Sequence, residues 1–446
     1  MYKPSKYNLL FYHEGHLIVF NTYYKTIASF EKKNEQALKV ILLKFDRKYI
    51  DMNSDLIEFC YNKNFMINQD VNEIDLLSEE CKKLVNSKIL QLTIMPTYCC
   101  NLSCIYCFQK HKPDSFMSDE IIKDIVTFVE NNIDHYNGLY VEWFGGEPLI
   151  TKKKVLQMHK AFRKIAVSHK RPYVARITTN GYELDLDTFQ ELYKNNCFIY
   201  YISIDGSKEI HDRQRPGKGG QGTYDRIIDN LKNISNTIKA RNFRIEIRVN
   251  NSTETLKYIE DFYLEYKRYF GDDKRFSLVL DAVQDWSDRT ENMYDSLLQD
   301  SDVAPLGELA SKYNIQLNNM SLNTLTTQIC QAAKRYAYSI FFDGTIHKCQ
   351  MAMERDEYKG ISHIGKISDK GLIINKEKES LWVSDSFPQQ CYECIALPLC
   401  LGKKCVYAIN IKEEKCENIQ DKLVSSLKVQ EFCKINKIEC YKEKVL

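Results

Sequence analysis

Residues 97–108 read TYCCNLSCIYCF, with four cysteines at positions 99, 100, 104 and 107. Free cysteine is ordinarily buried singly, as a small apolar side chain, so four in one short stretch indicate a shared task. Three of them, Cys100, Cys104 and Cys107, have the spacing C-x3-C-x2-C. Thiolates are the natural ligands of iron–sulfur clusters, and three of them leave one iron of a four-iron cluster open to a small molecule.

The composition narrows the classes of protein to which the chain can belong. Among 446 residues, Lys plus Arg is 62 and Asp plus Glu is 60, a balance that argues against a nucleic-acid-binding surface. The N-terminal stretch lacks a signal-peptide pattern, and no apolar run is long enough to span a membrane. We therefore expect a cytoplasmic protein, in which the 16 cysteines are metal ligands or reactive thiols rather than disulfides.

The cysteine stretch follows a strand-like run, ILQLTIM, that begins a regular alternation of strand and helix patterns. One helical pattern starts after Ser118, a suitable N-cap residue. Such alternation predicts parallel strands joined by right-handed crossovers, here an α/β partial (β/α)6 TIM-like barrel with ligands at the carboxyl ends of its strands. The six strand-like runs begin at residues 89, 138, 173, 197, 244 and 275.

The pattern changes on both sides of the barrel. Residues 1–85 contain strand-like and helical runs that predict a small N-terminal winged-helix-like α+β domain. The barrel is predicted over residues 86–322. Residues 323–446 contain a predicted hairpin that turns at Asp343–Gly344, a second cysteine-rich stretch and a last helix over residues 419–435. Three other cysteines fall in apolar periodic stretches and are predicted to be core residues: Cys60, Cys81 and Cys197.

Further motifs fall where the second, third and fourth strands end. Glycines allow a backbone to approach a ligand closely, serine can bond ribose hydroxyls, and arginine offers a fork to a carboxylate. Taken singly, Gly-Gly and Asn-Gly pairs are turns, and an arginine is a surface ion-pair partner. Their position at successive strand ends favours a ligand site instead. The candidate residues are Gly145, Gly146, Glu147, Thr179, Asn180, Ser203, Asp205 and Arg215.

From residue 89 onward, these motifs resemble the radical S-adenosylmethionine (radical SAM) superfamily. The resemblance implies that Cys100, Cys104 and Cys107 hold a [4Fe–4S] cluster that binds S-adenosyl-L-methionine (SAM), and that the eight strand-end residues contact SAM. Cys99 is expected to point away from the cluster, and His211 to be structural. The stretch Arg248–Asn250 is either a cofactor-pocket wall or core. No catalytic side chain is identified.

The C-terminal cysteines resemble the SPASM domain, which holds two auxiliary [4Fe–4S] clusters. Four residues separate Cys400 from Cys405, where the family usually has three. Zinc sites are the alternative at both cysteine-rich stretches; at the first, only His111 could be a nearby fourth ligand. Cys433 and Cys440 are expected not to be ligands. By the resemblance, the first auxiliary cluster is held by Cys330, Cys349 and Cys405, and the second by Cys391, Cys394, Cys400 and Cys416.

The resemblance implies radical chemistry on a peptide, begun when an electron from the cluster cleaves SAM to a 5′-deoxyadenosyl radical. Residues 1–85 resemble, in pattern only, the peptide-recognition element of maturases of ribosomally made peptides (RiPPs), which binds a leader peptide as an added edge strand. The implied partners are a precursor peptide with a leader sequence and an electron donor such as flavodoxin or ferredoxin, with no nucleic acid and no membrane.

Anaerobic sulfatase maturases, which oxidise a Cys or Ser side chain to formylglycine, are the rival interpretation. Their general base is an aspartate directly after the cysteine equivalent to Cys349, where this chain has Gln350, which cannot accept that proton. We therefore expect an intramolecular crosslink, with a thioether favoured because an open iron of the first auxiliary cluster could bind a substrate cysteine. A non-enzymatic iron–sulfur or zinc protein does not explain the strand-end motifs.

Overall fold

The computed structural model forms two compact units, each described here by itself. The first contains Met1–Val85, Ser321–Cys330 and Ser384–Leu446, and the second contains Asn86–Met320 and Gln331–Val383. The structure describes residues 2–44, 54–107, 109, 114–283, 298, 305–307, 309–310, 312–317, 327–353, 360–414, 416, 419–429 and 439–441.

The N-terminal part of the first unit is an antiparallel sheet with helices on one face. Its hairpin turns through Glu14 and Gly15, both with positive φ, as a tight two-residue turn requires. Alternate sheet residues such as Val19 and Phe30 pack on Leu38 and Leu56 of the helices. The strand-like and helical runs predicted in residues 1–85 are present as strands and helices. The elements are β1 (Tyr2–Pro4), β2 (Asn8–His13), β3 (His16–Asn21), β4 (Ile27–Phe30), α1 (Glu35–Lys39), α2 (Ser54–Asn62), β5 (Met66–Asn68) and α3 (Glu73–Val85).

The second unit contains the predicted partial barrel. Its first six strands pair in parallel in chain order, and Ser118 caps its first helix by accepting a hydrogen bond from the N–H of Ile121. The predicted α/β class and strand order are thus confirmed. The elements are β6 (Ile89–Ile94), α4 (Asp119–Asn132), β7 (Gly138–Trp143), α5 (Lys152–Ser168), β8 (Tyr173–Thr179), α6 (Leu186–Lys194), β9 (Cys197–Ser203), α7 (Lys208–Gln214), α8 (Tyr224–Thr237), β10 (Arg244–Asn251), α9 (Thr253–Leu256), α10 (Ile259–Phe270) and β11 (Phe276–Ala282).

The predicted hairpin at Asp343–Gly344 is present and extends the same sheet. Its first strand pairs in parallel with β6, and its second begins an antiparallel continuation, so that the sheet has ten strands in the described residues. The free edge of β6 thus gains a strand from outside the repeat, which the sequence pattern did not predict. The added elements are β12 (Ala337–Ile340), β13 (Thr345–His347), β14 (His363–Ser368), β15 (Gly371–Ile374) and α11 (Lys376–Ser380).

The two faces of β7–β11 differ in chemistry. The face covered by helices is apolar; Val141, Ile177, Ile202 and Ile247, for example, are fully buried in one core. The opposite face carries the alternate residues, which are largely polar or charged. A parallel sheet covered on both faces ordinarily has apolar residues on both. The polar face is therefore the side on which a ligand site can form.

The C-terminal part of the first unit packs against the N-terminal sheet. Phe11 and Phe20 share a core with Leu399 and Leu427, and β16 pairs in parallel with β4. The elements are α12 (Leu397–Cys400), α13 (Ile419–Val429) and β16 (Glu439–Tyr441). The last predicted helix is present over α13, and its remainder lies outside the described residues.

The remaining cysteine predictions have different outcomes. Those at positions 60, 81 and 197 are fully buried, which confirms them as core residues. Cys440 lies in β16, paired with Ser29, whereas Cys433 and His111 lie outside the described residues. Among the helices that the structure describes, none has the length and apolar character of a membrane span.

Candidate active site

The loop after β7 lies directly against the first cysteine-rich loop. The N–H of Gly146 donates to the carbonyl oxygen of Thr97 at 3.1 Å, and the N–H of Glu147 donates to that of Cys99 at 2.8 Å. A Cβ on Gly146 would lie 2.2 Å from the Cys99 oxygen. Gly145 has φ +127°, and its Cβ would lie 2.5 Å from the Thr97 oxygen. The paired glycines are therefore required for the backbone contact that positions the cysteine loop.

A second segment holds the cysteine loop from the other side. The N–H of Ser103 donates to Pro216, that of Ile105 donates to Gln214, and Lys218 donates back to Asn101, all at 2.8–3.0 Å. The segment begins at the end of α7 and includes Arg215, a predicted SAM contact. The cysteine loop is thus fixed by main-chain hydrogen bonds to the chain after β7 and to the chain after β9.

Glu147 is fully buried, and its carboxylate joins two strand ends. It accepts hydrogen bonds from the Thr179 hydroxyl at 2.7 Å, from the Asn180 N–H at 2.7 Å and from the Leu149 N–H at 2.9 Å. Burial raises the pKa of Glu147 to about 7, while these three hydrogen bonds oppose the rise. Three of the predicted site residues are therefore brought together by one carboxylate.

The side chain of Asn180 reaches from the end of β8 to the cysteine loop. Its Nδ2 lies 3.8 Å from the sulfur of Cys100 and donates to Asn101 Oδ1 at 2.7 Å. The sulfur of Cys99 instead lies 3.5 Å from a carboxylate oxygen of Asp114. Neighbouring cysteines thus have different partners, in keeping with the predicted division of three cysteines from one.

A buried polar cluster joins the cysteine loop to the ends of β9 and β10. Tyr106, between Cys104 and Cys107, accepts hydrogen bonds from Arg215 Nη1 at 2.6 Å and from Asn250 Nδ2 at 3.0 Å, and donates to Asp205. Asp205 also accepts from the Asn250 N–H at 3.0 Å. Burial holds the pKa of Tyr106 well above its ordinary value, so the phenol is neutral. Ser203, the other predicted residue of β9, is half-buried.

His211 supports this cluster as a neutral imidazole. Its Nδ1 accepts from the Asp205 N–H at 3.3 Å, and its Nε2 lies 3.1 Å from the Thr223 hydroxyl. Because that hydroxyl donates to the carbonyl oxygen of Arg215, it accepts from Nε2–H. Burial and the charge of Arg215 hold the pKa of His211 well below its ordinary value. The histidine thus has a structural environment.

The residues of the first loop fit a SAM-binding iron–sulfur cluster in three respects. One loop carries three thiols, which is the donor set that such a cluster requires. The paired glycines leave room for close backbone approach. The buried Nε of Arg215 has no hydrogen-bond partner, as expected of a group that binds an anionic ligand. Among the described residues, no three cysteine, histidine or carboxylate side chains are placed closely enough to hold a metal ion.

Four C-terminal cysteines lie near one another in the first unit. Burial and then the charges of neighbouring cysteines, including Cys394 and Cys416, raise the pKa of Cys391 to about 12 and that of Cys400 to about 11. Gly402 faces this group, since a Cβ there would lie 3.2 Å from the Cys391 sulfur. These are the four residues predicted for the second auxiliary cluster.

The residues predicted for the first auxiliary cluster are divided between the units. In the first unit, the Cys330 N–H donates to the Lys403 carbonyl at 2.8 Å, which places Cys330 beside the segment leading to Cys405. In the second unit, the Cys349 N–H donates to Ser362 Oγ at 2.9 Å. The additional residue before Cys405 falls in a turn where Leu401 and Gly402 both have positive φ.

Three features of the site were missed or left open by reasoning from sequence. Tyr106 was not considered, and Asn250 was left as pocket wall or core. Asn250 could have been predicted as a site residue, because it lies near the carboxyl end of β10, the strand that pairs with β9. The polar face of the sheet was also missed, although alternating charged residues in the strands of a parallel sheet indicate it.

Comparisons with known proteins agree with the fold. Residues 94–284 match the family model of the radical SAM superfamily. The serine-type anaerobic sulfatase-maturating enzyme of Bacteroides thetaiotaomicron is 24% identical over 68% of this chain and 79% of its own length. The cysteine-type enzyme of Clostridium novyi is 25% identical over 70% and 87%. The structure of anSMEcpe with bound AdoMet aligns with a TM-score of 0.56 and 19% identity, over 77% of this chain and 96% of that one.

Proposed function

We propose that this chain, whose residues 94–284 match the radical SAM family model, is a radical SAM enzyme that matures a ribosomally made precursor peptide by forming an intramolecular crosslink. We assign the SAM-binding [4Fe–4S] cluster to Cys100, Cys104 and Cys107. When bound, this group supplies a 5′-deoxyadenosyl radical that takes a hydrogen atom from the substrate. Two auxiliary [4Fe–4S] clusters are assigned to the seven C-terminal cysteines given above.

The chain's own residues bind and orient these groups. The glycine loop after β7 and residues 214–218 hold the cysteine loop through main-chain hydrogen bonds. Glu147 holds the end of β8 against that loop. We assign the guanidinium of Arg215 to the SAM carboxylate, since its buried Nε lacks an acceptor. Ser203 and Asn180 are assigned to the rest of the same ligand.

The observation that carries the choice of a crosslinking maturase is Gln350, directly after Cys349. Its Oε1 accepts a hydrogen bond from Gln331 Nε2 at 3.2 Å, and that Nε2 also donates to Thr93 Oγ1 at 3.0 Å. An amide in this arrangement is a hydrogen-bond partner and cannot take a proton as an aspartate would. This supports chemistry other than the oxidation that a sulfatase maturase performs with a carboxylate base.

The N-terminal sheet supports a peptide as the substrate. In the described residues, the strand order is β16-β4-β3-β2, so β2 is an edge strand without a strand neighbour on its outer side. Such an edge presents unpaired N–H and C=O groups on which an extended leader can add a strand. Tyr12 of β2 is half exposed and provides a side chain for selective contact.

A thioether is the favoured bond. The first auxiliary cluster, if held by three cysteines, has one iron free to bind a substrate thiolate. Cys330, Cys349 and Cys405 would hold this cluster, which would supply a binding position for the substrate thiolate and an acceptor for the electron released when that sulfur bonds to a carbon radical of the same peptide. This finer assignment rests on Cys330, Cys349 and Cys405.

The test is anaerobic reconstitution, followed by co-expression with short peptides encoded near the gene. We expect about twelve irons per chain, four for each of three clusters, SAM cleavage to 5′-deoxyadenosine, and a peptide that has lost two hydrogen atoms with one cysteine no longer alkylated. Absence of 5′-deoxyadenosine would refute the radical chemistry. Loss of hydrogen without loss of a free thiol would refute the thioether alone.

Sulfatase maturation is the second candidate, because the sulfatase maturases above cover more than two thirds of this chain. The same reconstituted enzyme should be given a sulfatase peptide that contains the Cys or Ser to be oxidised. An aldehyde on that residue, trapped with a hydrazide, would establish this activity and displace the crosslinking proposal. We expect none, since Gln350 occupies the position of the base.

A further inference from the structure

Five side chains form an arc across the polar face of the sheet, one on each strand from β7 to β11. In order along the sheet they are a carboxylate, a guanidinium, a phenol, a guanidinium and a carboxylate: Glu142, Arg176, Tyr201, Arg248 and Asp281. At least one chain neighbour of each residue belongs to the apolar core of the opposite face. We call these five residues the charged arc.

Each arginine of the arc pairs with the carboxylate on its outer side. Nε of Arg176 lies 3.4 Å from Glu142, and Nε of Arg248 lies 3.0 Å from Asp281. The guanidinium of Arg176 also lies 4.9 Å from the ring centre of Tyr201, in cation–π contact. Burial raises the pKa of Tyr201 to about 12 against the charge of Arg248, its other flanking cation. The phenol between the two arginines is therefore neutral.

The arc is accessible although it lies on central strands. The side chains of Arg176 and Arg248 are 18% and 35% exposed, and that of Asp281 is 22% exposed. A guanidinium carries five N–H donors, and the buried Nε of each arginine lacks a hydrogen-bond partner although a carboxylate lies nearby. Glu246, the register partner of Tyr201 on β10, is buried and pairs with Arg244. The unmet requirement of the two arginines is for acceptor oxygens.

We propose that the charged arc binds a carboxylate of the substrate peptide, either an Asp or Glu side chain or the C-terminus, between Arg176 and Arg248 and above Tyr201. Two guanidinium groups that flank one phenol favour a charged, planar acceptor over a neutral one. A cationic residue is disfavoured, because both carboxylates of the arc are already paired with arginine.

The position of the arc relates it to the reacting centre. Tyr201 and Arg248 each precede a strand-end residue of the candidate site, Ser203 and Asn250, by two positions, which is roughly 7 Å along a strand. A carboxylate bound at the arc would thus hold the peptide at a position two residues along the strands from the assigned SAM site. The inference rests on the proposed function, since it concerns the peptide that this site modifies.

The test uses reconstituted holoenzyme with SAM and three probe peptides, acetyl-Gly-Asp-Gly-amide and its Asn and Lys counterparts, observed by saturation-transfer NMR at millimolar concentrations. We expect the Asp peptide to bind at least about tenfold more tightly than the Asn peptide, as the gain from charge-assisted hydrogen bonds predicts. The Lys peptide should not bind. Equal binding of the three peptides, or no binding of the Asp peptide, would overturn the proposal.

Variants locate the binding site. Arg248→Gln and Arg176→Gln should each abolish the preference for Asp over Asn, and Arg248→Lys should retain part of it because it keeps the charge without the fork. Arg213→Gln is the matched control, since Arg213 is half exposed and pairs with the exposed Glu254. Iron content and thermal melting identify a variant that fails to fold. A preference that survives in all three arc variants overturns the assignment.

The result of this binding test can be distinguished from the result of the test of the proposed function. If the holoenzyme forms 5′-deoxyadenosine and crosslinks its precursor while the Asp peptide fails to bind, the arc is not a carboxylate site and the function stands. If no precursor is crosslinked but the Asp preference depends on Arg248, the site stands and the proposed product is wrong.

Discussion

The two cysteine-rich regions of the chain are built in different ways. The first loop, which carries Cys100, Cys104 and Cys107, is held by main-chain hydrogen bonds to two neighbouring segments. The second, around Cys391 and Cys400, consists of buried thiols that raise the pKa values of one another. Hydrogen bonds to the barrel therefore fix the geometry of the first region. The geometry of the second region depends on the ligand that its thiols bind.

This difference predicts which changes each region tolerates. A fixed loop should be sensitive to the backbone that holds it and to each of its thiols. A group of buried cysteines whose thiolate forms repel one another should be sensitive to loss of its metal, because the nearby Lys403 and Lys404 do not offset the cost of burying deprotonated sulfur. The experiments below alter one region at a time.

The largest effect should come from Cys100→Ala, which removes one of three thiolates from the first loop. We expect no SAM-binding cluster and no 5′-deoxyadenosine. Cys99→Ala is the matched control, because the Cys99 sulfur lies 3.5 Å from Asp114 and is assigned no metal. It should retain SAM cleavage. If Cys99→Ala is inactive and Cys100→Ala is active, the register of the ligand set is wrong.

Gly146→Ala should disturb the first region without removing a thiol. The added Cβ would lie 2.2 Å from the carbonyl oxygen of Cys99, so the cysteine loop must shift. A displacement of about 1 Å at a reacting centre can cost about 100-fold in rate, and we expect a loss of that order in 5′-deoxyadenosine formation. Gly360→Ala, where a Cβ meets nothing within 4 Å, should retain the normal rate. Equal rates for both variants would contradict the proposed clamp.

Cys391→Ala should break the second region and spare the first. We expect about one third of the iron to be lost, four irons of about twelve, together with crosslinking, while SAM cleavage without product continues. Cys197→Ala is the control, since Cys197 is a buried core cysteine that the site does not use. Full iron content in Cys391→Ala, measured by colorimetric iron assay, would remove Cys391 from the ligand set.

The sequence predicted elements and motifs better than it predicted what those motifs contact. Alternating strand and helix periods were sufficient for β6–β11, whereas the division between Cys99 and Cys100 stays a prediction from cysteine spacing. Glu147 was predicted as a SAM contact from its motif, but its hydrogen bonds to Thr179 and Asn180 join residues about thirty positions apart and follow only from the parallel register of β7 and β8. Nonlocal pairings of this kind have no signal in a single sequence.

The charged arc is a second example of the same limit. Each of its residues, taken alone, would be interpreted as a surface side chain of a strand. Their order across five strands depends on the sheet order, which the alternation did predict, and on which face of each strand is covered by helices. The predicted strand order, combined with the period of two along each strand, is sufficient to place all five residues on one face of the sheet.

The smallest effect concerns Glu147 and is measured as stability against pH. Burial raises its pKa to about 7, whereas an unfolded glutamate titrates near 4.3. Between these values the folded protein holds a proton that the unfolded chain releases, so the free energy of unfolding should fall as pH rises. This stabilisation is complete below the unfolded pKa and is lost as pH passes the folded one.

The single group contributes a slope of at most about 1.4 kcal/mol per pH unit. Urea unfolding of the iron-loaded protein between pH 5 and pH 7 measures that slope, and Glu147→Gln should flatten it because an amide does not titrate. Glu130→Gln, on the exposed side of α4, should leave the slope as it is in the parent protein. Identical slopes in the parent and in Glu147→Gln would show that the carboxylate is already ionised at pH 5. The three hydrogen bonds that Glu147 accepts would then outweigh its burial, and the first region would be held by a full negative charge.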